Sequence, residues 1–95
     1  MTKEKEYIIG QTQKFESMKT EYEYLIFKQA PVKPNWTTTQ WYCLNKKSSI
    51  LLGLIKWESS WRQYCYYPQC DAVYSAGCLN DISDFIKQLM NDRKK

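Results

Sequence analysis

The chain contains no histidine. The commonest general base of enzymes is therefore missing, and with it every Ser–His or Cys–His pairing. Glycine is almost as scarce: Gly10, Gly53 and Gly77 are the whole supply. They lie too far apart for G-x-x-x-x-G-K-[ST] or G-x-G-x-x-G phosphate loops. Glu58, Asp71, Asp81 and Asp84 fall at no spacing that pairs two carboxylates, and turns and helix caps account for them. No window approaches the ~20 apolar residues of a membrane helix. The opening MTKEKEYIIG has neither the apolar stretch nor the cleavage site of a secretory leader. These absences lead to the expectation of a non-enzymatic protein, without a cofactor and without a membrane partner.

Cysteine is present but poorly spaced for a metal. The nearest pair, Cys65 and Cys70, is C-x4-C, and Cys43 and Cys78 stand far off. Structural zinc sites draw on closer pairs. With no histidine, an all-thiolate site would consume every cysteine. Cys43, Cys65 and Cys78 fall at expected core positions, where free cysteine behaves as a small hydrophobe. Reduced thiols in a cytoplasmic protein are expected, and no metal site.

What the chain does have is aromatic rings, 16% of its 95 residues. A chain this short is one domain and buries roughly 60–65% of its unfolded surface. Much of that small core must be Trp and Tyr, residues that pack on one side and stay wet on the other. The net charge is +4, and it is unevenly spread. Residues 24–77 hold five lysines and Arg62 against Glu58 and Asp71, a net of +4, whereas residues 1–23 are at −1 and residues 78–95 at +1. The basic excess coincides with the aromatic segment, which favours anionic partners.

Residues 1–20 are mostly charged and polar and read as an N-terminal extension or arm, with residues 21–95 as a single sheet-plus-helix domain. Phe15, Met18 and Tyr22 recur at helical spacing and hint at a short helix. As an arm, the same segment offers a homodimer contact. From Tyr22 the pattern becomes that of strands. Tyr22–Lys28 is the first, stopped by Pro31 and Pro34, which cannot donate to a ladder. Thr37–Leu44 is the second, and Asn45–Ser49 a polar turn. Ile50–Trp57 is the third, its Gly53 marking a bulge or a close approach to the backbone. Glu58–Ser60 is a three-residue turn. Trp61–Tyr67 is the fourth strand, and Ala72–Tyr74 a short fifth. Cys78, Leu79, Ile82, Phe85, Ile86, Leu89 and Met90 then form an amphipathic stripe, with Ser75 as its N-cap, predicting a helix over about 76–91. The expected fold is α+β: an antiparallel meander of four to five strands, one face covered by the C-terminal helix.

One helix covers one face. The aliphatic set Cys43, Leu51 and Ile55, grouped with Cys65, is the expected covered side. Tyr42, Lys56, Arg62, Tyr64 and Tyr66 are then left outside as an aromatic and cationic surface. Such a surface can anchor a protein interface. It can also stack bases or hold a nucleotide. Lys46 and Lys47 in the turn add candidate contacts to phosphates or to an acidic surface.

Several segments carry a resemblance. Trp41-x-Cys43, Leu52-Gly53-x-Ile55-x-Trp57, Trp61-Arg62-Gln63-Tyr64-x-Tyr66-x-Pro68 and Cys78-Leu79-x-Asp81-Ile82-x-x-Phe85 resemble a core found in small proteins of phages and mobile elements. That core reads W-x-C, LG-x-I-x-W, WRQY-x-F-x-P, CL-x-D-I-x-x-F. The match covers about half the chain in order and spacing, with Tyr66 in place of Phe. The resemblance implies an origin rather than a mechanism. By analogy with small phage proteins that bind host machinery, including anti-CRISPR-like inhibitors of defence nucleases, the expected partner is a host protein or nucleoprotein complex in the host cytoplasm. The alternative is a basic nucleic-acid or nucleotide binder using the same face.

Overall fold

The computed structural model describes residues 18–33, 35 and 37–94. Four strands and one helix make up the regular structure of these residues: β1 (Leu25–Gln29), β2 (Trp41–Asn45), β3 (Leu51–Glu58), β4 (Gln63–Pro68) and α1 (Ala76–Lys94). The strands form one antiparallel sheet in the order β1-β2-β3-β4. The fold is α+β, a four-stranded meander packed by a C-terminal helix.

Both inner hairpins use four-residue loops ending in a left-handed residue. Between β2 and β3, Ser49 has φ 64°, the amide of Asn45 donates to the Ile50 carbonyl at 2.9 Å, and Asn45 Oδ1 accepts the amides of Lys47 and Ser48. An Asx turn of this kind is why Asn opens the loop. Between β3 and β4, Arg62 has φ 58°, and its amide donates to the Glu58 carbonyl at 2.7 Å.

The covered face carries Leu25 and Phe27 from β1, Trp41 and Cys43 from β2, Ile55 from β3 and Tyr64 from β4, all buried. From α1, Ile82, Phe85 and Leu89 close onto them. The Phe85 ring stacks on Phe27 at 4.3 Å and meets Trp41 edge-on at 5.0 Å. Aromatic pairs of these geometries contribute about 0.5–1.5 kcal/mol each beyond their burial, which suits a core this small. Ser75 caps the helix, its Oγ accepting the Cys78 amide at 3.2 Å. At the other end Arg93 lays its guanidinium 4.0 Å from the Trp57 ring.

Two expected elements differ. Residues 72–74 form no strand; Tyr74 instead sends its hydroxyl to the Leu52 carbonyl at 2.6 Å and meets the Tyr66 hydroxyl at 2.6 Å, so the linker is pinned by a side chain rather than a ladder. Phe15, and with it most of the expected N-terminal helix and arm, lies outside the described residues. Met18–Tyr22 are not helical: the Phe27 amide donates to the Thr20 carbonyl at 2.9 Å, and Glu21 bridges Ile26. This segment runs along the outer edge of β1. Gln88 of α1 grips both backbone groups of Lys19, and the Tyr22 hydroxyl donates to Asp84 at 2.6 Å.

Candidate interaction surface

A sheet covered by one helix has a second side, and loop length decides which residues reach it. A three-residue turn at Glu58–Ser60 pairs Trp57 with Trp61. The loop instead has four residues, 59–62, so Glu58 pairs with Gln63, Trp57 with Tyr64 and Ile55 with Tyr66. Because side chains alternate strictly, the odd shift of Trp57's partner from residue 61 to residue 64 turns every β4 side chain to the opposite face.

The expected surface is thereby divided. Tyr42, 36% exposed, and Lys56 lie on the open side, as expected. Tyr64 and Tyr66 do not: they face the helix. Tyr64 is 5% exposed, meets Trp57 edge-on at 5.4 Å and places its hydroxyl 3.3 Å from Thr39 Oγ1. Tyr66 packs against the core with its hydroxyl on Tyr74, and desolvation drives its phenol far above the ordinary range. Arg62 is not in a strand at all; it is the exposed left-handed residue of the loop, off the sheet face. Cys65, expected in the core, lies on the open side opposite Lys56. Lys46 is tied back by an ion pair to Glu21 at 3.0 Å and a hydrogen bond to the Tyr22 carbonyl. Lys47 stays exposed at the tip of the turn.

The open face that results runs across the sheet as Lys28–Tyr42–Leu54–Tyr67, with Ile26 and Leu44 on one side and Lys56, Cys65, Glu58 and Gln63 on the other. Sequence reasoning missed Tyr67 and Lys28. The even-numbered loop was the signal that would have found Tyr67. Lys56 Nζ sits 4.7 Å over the Tyr67 ring. The Tyr67 hydroxyl donates to a Glu58 oxygen, and Glu58 also accepts from the Ser60 hydroxyl at 2.6 Å. Hydrogen bonds from Ser60 and Tyr67 hold the Glu58 carboxyl below its ordinary value. The hydrogen bond to Glu58 in turn pushes the Tyr67 phenol up to about 12. Trp61, 68% exposed, stands at the end of this face as part of the hairpin loop.

No group of His, Cys, Asp and Glu among the described residues is arranged to hold a metal. Cys43 is buried, and desolvation raises its thiol to about 11, the opposite of an activated nucleophile.

No family model matches the chain, and no solved structure matches it significantly. A curated relative does: the "Uncharacterized 9.3 kDa protein" of Acholeplasma phage L2 is 40% identical over 76 residues, 77% of this chain and 92% of the phage protein. The chain belongs to the family of that phage protein. It is a small protein of phage type, and the phage relative is spanned almost end to end. No described helix is long and apolar enough to cross a membrane.

Proposed function

We propose that this phage-type protein is a non-catalytic binder that docks through the open side of its sheet onto an acidic surface of a host protein, acting by occlusion. The observation that supports the reading most directly is the makeup of that side. Rings (Tyr42, Tyr67), aliphatics (Ile26, Leu44, Leu54) and cations (Lys28, Lys56) are interleaved on a rigid four-stranded platform, with no helix or strand over them among the described residues. Tyr, Trp and Arg are the side chains that anchor protein interfaces, and Trp61 and Arg62 project at the end of this surface. The charge there is one-sided. Lys28, Lys47, Lys56 and Arg62 face solvent at the platform and its loops, whereas Glu58 is engaged by Tyr67 and Ser60. A basic rim of this kind steers an acidic partner and raises its rate of encounter.

The test is capture from an Acholeplasma lysate on immobilised protein, comparing wild type with Tyr42→Ala and Lys56→Glu. A retained protein that both variants release, while their circular dichroism is unchanged, supports the reading. Retention that neither variant alters, or no retention by wild type, overturns it. Tyr64→Ala serves as the contrast: it truncates a buried ring and costs about 3–5 kcal/mol of stability, so loss of binding there reports unfolding.

A further inference from the structure

The two edges of the sheet are unequal. The outer edge of β1 is occupied by the chain itself, through Thr20, Glu21 and Tyr22. Among the described residues nothing pairs with the outer edge of β4. The ladder phase identifies its exposed groups. The Gln69 amide donates to the Leu52 carbonyl at 2.9 Å, which makes 52–69 a hydrogen-bonded pair. By alternation Gln63, Cys65 and Tyr67 bond inward to β3, and Tyr64 and Tyr66 direct their amides and carbonyls outward. The Tyr64 amide reaches only the Met90 thioether, at 3.5 Å, a weak acceptor on a side chain that moves easily. Pro68 offers a carbonyl and no donor.

Both flanks of this edge are concave. On the helix side a groove of 570 Å³ is lined by Leu79, Ile82, Ile86 and Met90, with Gln63 at the strand and Lys87 as its charged residue. Leu79 is 54% exposed there although the sequence pattern makes it part of the apolar stripe. On the open side a 370 Å³ cleft lies between Trp61, Cys65 and Tyr67. An extended segment laid along β4 alternates its side chains between these two hollows while its backbone meets Tyr64 and Tyr66. That is the arrangement of β-strand addition.

The geometry points to the β4 edge as the docking site for an extended segment of the partner protein, one with apolar residues in alternation and an acidic residue near Lys87. This deepens the protein-docking reading and rests on it: the partner extends the sheet at β4 and lies over the adjoining open face. Lys87 beside the groove favours an acidic segment as the occupant; a second copy of this chain paired β4 to β4 is an outcome of the test.

The probe is a display library of random linear heptapeptides selected on the full chain. Selected sequences with alternating apolar positions are expected. On binding, the Tyr64 and Tyr66 amides should become protected from hydrogen exchange, and Leu79→Glu, at an exposed helix position, should weaken binding at least tenfold. The peptide reads the β4 edge and the lysate protein reads the open face, so an edge that selects no peptide while the lysate protein is still held separates failure here from failure of the open face to hold its partner. A library that yields no binder overturns the inference, as do binders that leave both amides exchanging or are indifferent to Leu79→Glu. Light scattering that gives a dimer built on β4 also overturns it.

Discussion

Tyr67 and Glu58 share a proton-dependent contact at the half-buried end of the open face. The phenol is raised to about 12 from its ordinary 10.0, chiefly by donating to Glu58. The carboxyl is lowered from 4.5, chiefly by Ser60 and then by Tyr67. The signs differ. A raised phenol adds stability that is fully present below pH 10.0 and is lost as pH climbs toward about 12. A lowered carboxyl adds stability that is present above 4.5 and is lost as pH falls through its depressed value. The contact is therefore intact across the neutral range and opens at both extremes. In NMR titration of isotope-labelled tyrosine, Glu58→Gln should bring the Tyr67 midpoint down toward 10.0. An unmoved midpoint would assign the shift to the neighbouring sheet instead. Exposure limits the energy involved, so the expected readout is the titration and not the melting temperature.

The β3–β4 pair is where one small residue decides how a strand packs. The Tyr66 ring folds back across β3 and occupies the space above Gly53. A methyl at Gly53 would stand 2.5 Å from Tyr66 Cζ and 2.8 Å from the Tyr67 carbonyl oxygen. The ring tip can swing away, but the carbonyl belongs to the ladder and cannot. Beside Gly53 the β2–β3 register also slips, between Cys43 and Leu44. The sequence expectation of a bulge or a close approach at this glycine thus meets both features at once. Gly53→Ala should cost about 1–3 kcal/mol, the range for overpacking a filled core, measured by urea unfolding. Adding Tyr66→Phe should recover only part, because removing the hydroxyl leaves the ring carbon and the carbonyl in place. Full recovery would mean that the hydroxyl alone fills the site.

At the scale of the whole molecule, the net charge of +4 is too small to hold nucleic acid by itself. The platform cations Lys28 and Lys56 and the loop cations Lys47 and Arg62 neutralise few phosphates, and Lys46 is already spent on Glu21. A labelled single-stranded oligonucleotide followed by fluorescence anisotropy should accordingly be released between low and physiological salt, with a shallow slope set by those few contacts. A protein partner held by rings and a strand edge should persist over the same range. Tight oligonucleotide binding at physiological salt that disappears with Tyr42→Ala would hand the open face to nucleic acid.

The elements themselves were legible as local patterns. Alternating aromatic and branched runs marked the four strands, the 3.6-residue stripe marked α1, and Ser75 stood where a cap must stand. Each of these signals is written within a few residues of where it acts. Which face of β4 would be wet was not written that way. It hangs on whether the turn is Glu58–Ser60 or the four residues 59–62, a choice settled when Arg62 takes a left-handed φ and lets Gln63 return opposite Glu58. A side-chain period of two leaves no intermediate outcome. Tyr64 and Tyr66 therefore went under the helix, and Tyr67 and Cys65 came out. Packing across the sheet, between residues far apart in the chain, chose the surface that composition could only supply.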